Sequence, residues 1–246
     1  MKDETIVITG ASGGIGRGLV EGLLNKGYQK VAALCHTPAN TEPLKVIFSR
    51  FDKDPEKHIF CADIGDAKKT EEVFEQISKT LGPIAGLVNN AGATSNGMSW
   101  KLPAEEFIRI HQVNLFGSFY ACKEVLPVMR ERNYGRIINI SSIVSVTGVP
   151  GTSHYSASKS GLNGLTRAIA SEVANKDITV NAIALGYFDV GMIDTVPESI
   201  RSSILASIPK KRFGKVSELV ALIDFLFHND SGYLTGQVLH LNGGLY

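Results

Sequence analysis

Short apolar runs rich in β-branched residues alternate along this chain with longer stretches in which apolar positions follow a helical period. Seven runs have the length of strands and lie at residues 5–9, 30–35, 58–62, 85–89, 136–141, 178–183 and 237–241. Several are almost continuously apolar, which is typical of strands covered by helices on both faces. The alternation predicts an α/β fold, with one doubly wound domain over residues 1–246 and a seven-stranded, mostly parallel sheet.

The stretches between the strands carry apolar residues at intervals of about four, as expected for helices. The repeats are Ile15, Leu19 and Leu23 near the start of the chain, Val73, Ile77 and Leu81 further along, and Leu219, Leu222, Ile223 and Leu226 near its end. Ser217 precedes the last repeat and is predicted to cap that helix. Residues 187–213 follow neither pattern and contain Pro197 and Pro209, so we expect a flexible flap over a binding site there.

Composition and charge narrow the class of protein. A net charge of +1 argues against binding of nucleic acid through attraction to its phosphates. No apolar run approaches the roughly 20 residues of a membrane span, and no signal peptide precedes the first strand. We therefore expect a cytoplasmic protein that binds no membrane. The cysteines Cys35, Cys61 and Cys122 lack the spacing of metal ligands, so we expect no metal site, with Cys35 and Cys61 as buried thiols.

A glycine-rich turn connects the first predicted strand to the first predicted helix. Glycine permits sharp turns and close approach of the backbone to a ligand, and the N-terminus of a helix attracts phosphate. In this position the turn indicates a binding site for the pyrophosphate of a dinucleotide, the alternative being a turn that binds no ligand. The residues expected at the cofactor are Gly10, Ser12, Gly13, Gly14, Ile15 and Gly16.

Tyr155 and Lys159 are four residues apart, so on a helix they share one face. An ammonium beside a phenol favours its ionised form and lowers a pKa that is otherwise about 10. Such a tyrosine donates or accepts protons near neutral pH. Ser142 follows the strand 136–141, at the end of a parallel strand where α/β proteins bind ligands, and its hydroxyl can polarise a carbonyl. Ser141 is the competing residue, since successive side chains on a strand face opposite sides.

These motifs together resemble the short-chain dehydrogenase/reductase family. The resemblance rests on Thr-Gly-x-x-x-Gly-Ile-Gly from Thr9, Asn89-Asn90-Ala91-Gly92, Asn114 in Val-Asn-Leu, the 13-residue gap from Ser142 to Tyr155, Lys159, and the ending at 233–244. It covers essentially the whole chain and implies a Rossmann-type fold and an oxidoreductase that uses a nicotinamide cofactor. Within the family, the length and the C-terminal residues are most similar to 3-oxoacyl-[acyl-carrier-protein] reductases.

The resemblance implies a catalytic set of Asn114, Ser142, Tyr155 and Lys159. Tyr155 is expected to be the general acid when a ketone is reduced. Lys159 is expected to lower the pKa of Tyr155 and to hold the ribose of the nicotinamide. Asn114 is expected to bind a water that links Lys159 to solvent. A non-catalytic nucleotide sensor is the distant alternative, and the presence of all four residues argues against it.

The resemblance also implies which residues bind the two ends of the cofactor. His36 and Thr37 stand where relatives that select NAD carry an acid, so NADP(H) is favoured over NAD(H), although Gly13 replaces a basic residue common in relatives that use NADP. The remaining expected contacts are Asp63 and Ile64 at the adenine, Asn90, Ala91 and Gly92 beside the adenosine, and Gly186 and Phe188 near the nicotinamide. Leu185 and Val190 replace a proline and a threonine of the family there, which leaves only backbone donors for the carboxamide.

The resemblance favours reduction of a β-ketoacyl thioester on an acidic acyl carrier protein, in fatty-acid or polyketide synthesis. The alternative is a dehydrogenase or reductase of a free alcohol, sugar, steroid or quinone, and the expected pocket at 93–100, 144–149 and 187–192 does not decide between them. Candidates for docking the carrier beside the cleft are Arg130, Arg132, Lys176, Lys210, Lys211 and Arg212. A homotetramer, or a homodimer, is expected through the helices at 103–131 and 155–174 and through the C-terminal strand.

Overall fold

Strands and helices alternate along the chain in the computed structural model, which describes residues 1–191, 193 and 196–246. The strands are β1 (Thr5–Thr9), β2 (Lys30–Cys35), β3 (Ile59–Cys61), β4 (Ile84–Asn89), β5 (Tyr134–Ser142), β6 (Asp177–Leu185) and β7 (Val238–Leu241). The helices are α1 (Gly14–Asn25), α2 (Glu42–Arg50), α3 (Pro55–His58), α4 (Ala67–Leu81), α5 (Ala104–His111), α6 (Gly117–Arg132), α7 (Ser153–Val173), α8 (Glu198–Ser207) and α9 (Val216–Phe227). All the predicted strands are therefore present.

The strands form one seven-stranded sheet in the order β3-β2-β1-β4-β5-β6-β7. Every neighbouring pair in this sheet is parallel, which confirms the predicted fold class. The chain runs outward from β1 to β3 on one side and from β4 to β7 on the other. The direction of winding reverses between β1 and β4, and ligands of such sheets bind at the carboxyl ends of the strands at that point.

Apolar helices cover both faces of the sheet, as the continuous apolar strands predict. Ile6 and Ile8 of β1 pack into a core shared with α1, α2 and α9. Val7, between them, points to the opposite face and packs into a core shared with α4, α6 and α7. The two cores hold the strand ends in fixed positions, so side chains at the carboxyl edge are presented by a rigid scaffold.

Two local predictions differ from the structure. Residues 187–213 are not irregular throughout, because they contain α8. The predicted cap Ser217 is wrong, since the cap of α9 is Lys215, whose backbone N–H donates to the Glu218 carboxylate at 2.9 Å. Glu218 is therefore the carboxylate of a capping box, which accepts from the backbone N–H of the cap residue. Met192, at the end of the predicted pocket segment, lies outside the described residues.

The three cysteines are free thiols. Cys35 and Cys122 are buried, and burial raises their pKa values to about 11 and about 12. Cys61 is half-buried rather than buried as predicted, because β3 is an edge strand. Within the described ranges, no group of three or more His, Cys, Asp or Glu side chains gathers as metal ligands would. None of the described helices has both the length and the apolar character needed to cross a membrane.

Candidate active site

Ser142, Tyr155 and Lys159 meet at the carboxyl end of β5. Ser142 is the last residue of that strand, and Tyr155 lies in the first turn of α7. The side chain of Ser142 lies close enough to Tyr155 to lower the pKa of its phenol. Lys159 lies one turn further along α7, with its Nζ 5.8 Å from the centroid of the Tyr155 ring. The fold therefore assembles these three residues from two neighbouring elements.

Ser141, the competing serine, faces away from Tyr155. Its Oγ is buried and donates to the backbone carbonyl of Lys159 at 3.3 Å. The Oγ of Ser142 instead accepts from the backbone N–H of Val144 at 3.4 Å, at the start of the loop that leads to α7. The alternation of side chains along β5 thus favours Ser142 over Ser141 as the serine of the predicted catalytic set.

Burial governs the ionisation of Tyr155 and Lys159, which are 8% and 3% exposed. Burial raises the pKa of Tyr155 above its usual 10, and the neighbouring Ser142 hydroxyl acts in the opposite direction. Burial lowers the pKa of Lys159 to about 8. The Lys159 Nζ donates to the carbonyl of Ile140 at 2.7 Å, and the expectation that Lys159 lowers the pKa of Tyr155 stays a prediction.

Asn114 is fully buried. It lies in a π-helical turn, Gln112–Phe116, that joins α5 to α6. Its Oδ1 accepts from the backbone N–H of Ala93 at 2.7 Å. Its Nδ2 donates to the Ala93 carbonyl and to the Ser158 Oγ, each at 3.0 Å. Both amide hydrogens are thus used within the protein, so a water at this residue can only donate to it. The predicted water link to Lys159 stays a prediction with that constraint.

The glycine-rich turn forms a close-fitting cradle between β1 and α1. Gly10 has a φ of +64°, and a Cβ there would lie 2.7 Å from the Cα of Ala91. A Cβ on Gly14 would lie 2.9 Å from the backbone nitrogen of Gly191. Asn90 fastens the loop after β4 to this turn, because its Nδ2 donates to the carbonyls of Thr9 and Gly10 at 3.0 and 3.1 Å. The bare backbone and the N-terminus of α1 suit the pyrophosphate of a dinucleotide.

Residues predicted to bind the adenosine end lie at the adjacent carboxyl ends of β2 and β3. His36 and Thr37 are exposed just beyond β2. The Asp63 Oδ1 lies 3.8 Å from the Nδ1 of His36 and accepts from the backbone N–H of Gly65 at 3.0 Å. Ile64 is buried beside them. Asp63 thus contacts the residue at the expected phosphate position, although the sequence placed it only at the adenine.

The residues predicted at the nicotinamide end lie just after β6. The backbone N–H of Gly186 donates to the Leu241 carbonyl at 2.9 Å, which fixes this loop to β7. Phe188 is buried and pairs with Gly214 in an isolated bridge. A Cβ on Gly14 would lie 3.4 Å from the Cβ of Val190, so the loop after β6 lies against the glycine-rich turn. The two predicted halves of the cofactor site therefore meet.

The predicted docking residues divide between the two ends of the sheet. Arg130 and Arg132 lie at the end of α6, just before β5, and Lys176 just before β6. Because β5 is 9 residues long, they stand roughly 25 Å along the strand from Ser142. Their predicted position beside the cleft of the same chain is wrong. Lys210 lies on the catalytic side, where its backbone N–H donates to the Gly243 carbonyl at 3.1 Å.

Comparison with known proteins agrees with this architecture. A model of the short chain dehydrogenases matches residues 4–200. The chain is 35% identical over 246 residues to a 3-oxoacyl-[acyl-carrier-protein] reductase of Haemophilus influenzae, covering 100% of this chain and 99% of the relative. It is 37% identical over 246 residues to nodulation protein G of Azospirillum brasilense, with the same coverage. A Staphylococcus epidermidis 3-oxoacyl-[acyl-carrier-protein] reductase is 32% identical over 244 residues, 99% of each chain.

The chain belongs to the short-chain dehydrogenase family. Its membership confirms the family resemblance and the expectation of an oxidoreductase that interconverts alcohol and carbonyl groups with a nicotinamide dinucleotide. As a short-chain dehydrogenase it places its hydroxyl and ammonium groups on β5 and α7. The roles of the individual residues stay predictions, and the contacts described above support them.

Two groups near the site of this short-chain dehydrogenase escaped the sequence-based prediction. Arg17, in α1, donates from Nη1 to the Ser12 carbonyl at 2.9 Å and brings a cation to the glycine-rich turn. A basic residue one turn into the helix after such a turn was the available signal. His154, adjacent to Tyr155, contacts Ser95 from another loop. No local pattern indicates that contact, because 59 residues separate the two.

Proposed function

We propose that the protein is an NADPH-dependent ketoreductase whose substrate is a β-ketoacyl thioester on an acyl carrier protein. The observation that carries the proposal is the convergence of two hydroxyl side chains at the carboxyl edge of the sheet, the half-buried Ser142 at the end of β5 and the buried Tyr155 in the first turn of α7. Two hydroxyls that meet in this way suit a carbonyl oxygen, which accepts a hydrogen bond from each. The names of two of the relatives described above support the choice of substrate.

In this proposal the nicotinamide cofactor supplies the hydride, and the chain positions and protonates the substrate. Ser142 donates to the carbonyl oxygen and polarises it. Tyr155 donates to the same oxygen and transfers its proton as negative charge develops there. Because burial raises the pKa of Tyr155, the phenol is protonated at neutral pH, as a general acid must be. Lys159 is placed to exchange its hydrogen bond with the Ile140 carbonyl for one to a ribose hydroxyl of the cofactor.

The preference for NADPH rests on the charges near the end of β2. No acidic residue follows Cys35 there, and His36 and Thr37 offer donors to a phosphate. Arg17 adds a cation at the glycine-rich turn. Asp63 beside His36 is the opposing charge. We expect the ratio of kcat/KM values with NADPH and NADH to exceed 1 and to invert in His36→Asp, because a carboxylate at that position repels a 2′-phosphate.

A kinetic comparison with three substrates tests the proposed function. The substrates are a β-ketoacyl carrier protein, the same acyl group on N-acetylcysteamine, and a simple cyclic ketone, each with NADPH and with NADH. We expect the carrier-bound thioester to give the highest kcat/KM. Tyr155→Phe should reduce kcat by roughly 10³-fold with every substrate, because the general acid is removed. Equal rates with all three substrates would contradict the carrier and favour a free ketone, and cofactor binding without turnover would favour a nucleotide sensor.

Lys210 is our candidate for docking the carrier. Both Nη atoms of Arg212 already donate to the Glu218 carboxylate, and the Nζ of Lys211 donates to the Ala206 carbonyl. Lys210→Glu should lower kcat/KM for the carrier-bound thioester about tenfold and leave the N-acetylcysteamine thioester unchanged, since docking of an acidic partner is electrostatic. Arg130→Glu is the matched change at the other end of the sheet. If Arg130→Glu alone lost activity with the carrier-bound thioester, the carrier would dock on the surface around Arg130. Docking there would serve the cleft of a partner chain.

We also propose that the protein assembles as a homotetramer. Ile108, Phe116 and Phe119 are exposed on α5, α6 and the π-helical turn between them. A shallow apolar depression lies beside them, lined by Leu115, Phe116, Phe119, Tyr120, Gly161 and Leu165. A second copy of the same surface would cover these side chains. Light scattering should give a tetramer for the wild type and a smaller species for Phe119→Glu, and a wild-type monomer would contradict the proposal.

A further inference from the structure

His154 is a fully buried histidine that directly precedes Tyr155 in the first turn of α7. Its Nε2 lies 2.9 Å from the Oγ of Ser95 and 3.0 Å from the backbone carbonyl of the same residue. Its Nδ1 is buried and has no hydrogen-bond partner among the described residues. Both polar contacts of the ring are therefore directed at one residue of another loop.

The acceptors around His154 determine where its proton lies. The Ser95 carbonyl can only accept, so Nε2 of His154 carries a hydrogen and donates it to Ser95. The Ser95 hydroxyl is also close enough to Glu106 to affect the pKa of its carboxyl group. The Arg109 guanidinium and, after it, this Ser95 hydroxyl lower the pKa of Glu106 to about 2. Ser95 thus lies between Glu106 of α5 and His154 of α7.

Ser95 is the middle residue of an extended segment, 93–97, that is not part of the sheet. Half-buried residues alternate along it with exposed ones, so one side of the segment faces the protein. Its first residue, Ala93, is held by the side chain of Asn114. At its end, the backbone N–H of Gly97 donates to the Gly151 carbonyl at 3.0 Å. His154 supplies the attachment between these two points.

The segment begins at the catalytic centre and leads to the surface. A Cβ on Gly92, just before it, would lie 3.7 Å from the Nζ of Lys159. Beyond it, Met98 and Trp100 are exposed. A substrate that reaches Tyr155 along this side passes the segment, whose position depends on three hydrogen-bonded attachments rather than on strand pairing.

We propose that His154 is a positioning residue for ketone reduction, which holds segment 93–97 through Ser95 as one wall of the substrate entrance. This inference rests on the proposed reductase function. Among the described residues, the hydrogen bonds of the His154 ring go to Ser95 alone and none goes to the glycine-rich turn. Its loss should therefore weaken the binding of the ketone and leave cofactor binding intact.

The test compares His154→Leu with His154→Gln, whose side-chain amide can still donate to Ser95. For reduction of a β-ketoacyl N-acetylcysteamine thioester, we expect His154→Leu to raise KM about tenfold, the equivalent of one lost hydrogen bond of typical strength, with kcat little changed. The Kd of NADPH, measured by fluorescence, should be unchanged. His154→Gln should restore KM to near the wild-type value. An unchanged KM in His154→Leu, or equal losses in both variants, would overturn the proposal.

Hydrogen–deuterium exchange of the peptide that contains 93–97 gives a readout independent of turnover. Exchange there should be faster in His154→Leu than in the wild type and normal in His154→Gln. If His154→Leu does not fold, Ser95→Ala replaces it, with a smaller increase in exchange because the carbonyl acceptor remains. Unaltered exchange in the folded variant would refute the positioning role. Failure of the wild type to reduce any ketone would refute the proposed function, and the exchange result would still decide whether His154 holds the segment.

Discussion

Two buried cations at opposite ends of β5 are stabilised in very different ways. At the amino end, Arg136 is 0% exposed, and its Nη1 donates to the carbonyls of Gly135 and Asp177, each at 2.9 Å. Its Nη2 forms an ion pair with the Asp177 carboxylate at 2.9 Å, without the alignment of a hydrogen bond. The guanidinium also lies 4.7 Å from the centroid of the Tyr134 ring. This cation is compensated on several sides.

At the carboxyl end, Lys159 is almost equally buried but has one backbone carbonyl as its hydrogen-bond partner. No carboxylate among the described residues forms an ion pair with it, and burial alone lowers its pKa to about 8. The comparison separates a cation that stabilises the fold from one that destabilises it. A free-energy cost at Lys159 is typical of a functional site, where the missing partner is a ligand.

The largest effect on stability is expected for Arg136→Met. The change removes two hydrogen bonds to backbone carbonyls and one ion pair, and it leaves the Gly135 carbonyl buried. We expect the free energy of unfolding to fall by roughly 2–4 kcal/mol. Urea denaturation followed by circular dichroism measures it. A loss below about 1 kcal/mol would show that Arg136 stabilises the fold no more than an exposed ion pair does.

The reverse effect is expected for Lys159→Met, a matched change at the other end of β5. A pKa lowered from 10.5 to about 8 corresponds to about 3 kcal/mol of destabilisation at neutral pH. Loss of the hydrogen bond to the Ile140 carbonyl offsets about 1 kcal/mol of this. The variant should therefore be roughly 1–2 kcal/mol more stable than the wild type at pH 7 and have no reductase activity. Tyr155→Phe, which keeps the buried ammonium, serves as the inactive control, and a destabilised Lys159→Met would remove the contrast.

The same contrast should depend on pH. Lys159 has a pKa of about 8 in the folded protein and 10.5 as its ordinary value, so between these pH values the unfolded chain binds more protons. The wild type therefore gains stability relative to Lys159→Met as the pH rises from 8 to 10.5. We expect the difference in Tm between the two proteins to be full at pH 7 and to shrink by pH 10. A difference that stays constant would mean that charge burial is not its cause.

The smallest effect is expected for Asp177→Asn. The carboxylate is 47% exposed, so solvent screens its attraction to Arg136, and the backbone carbonyl of the same residue continues to accept from Nη1. The free energy of unfolding should fall by at most about 1 kcal/mol, as for other exposed ion pairs. Its comparison with Arg136→Met in the same urea experiment separates the charge pair from the backbone hydrogen bonds. A loss as large as that of Arg136→Met would assign the stabilisation to the ion pair.

The sequence predicts the sheet and the catalytic edge because both depend on local periodicity. Seven apolar runs of strand length specify the strands, and the 13-residue gap to Tyr155 favours Ser142 over Ser141. The glycine-rich turn is predicted because its conformation requires particular residues wherever it occurs. The family resemblance then links these local signals in the right order along the chain.

What the sequence does not predict depends on contacts between distant residues. The hydrogen bond from the Lys159 Nζ to the Ile140 carbonyl was not predicted, since it depends on how α7 packs on β5. The hydrogen bonds from the Asn114 amide to Ala93 and Ser158 were not predicted either. Arg130 and Lys176 were expected beside the cleft, but they lie at the other end of the sheet. The charge of a residue, unlike apolar periodicity, does not indicate which end of the sheet it occupies.

The π-helical turn at Gln112–Phe116 has a consequence for how the protein tolerates insertions and deletions. A π turn contains one residue more than an α turn, so it is equivalent to a one-residue insertion in a continuous helix. Removing Gln112 would restore regular winding and eliminate the wide turn that places the Asn114 side chain against Ala93 and Ser158, while α5 and α6 stay nearly in phase. We expect such a deletion to keep the helical content measured by circular dichroism and to abolish turnover. Turnover would thus depend on the number of residues in this turn as well as on the identity of the catalytic side chains.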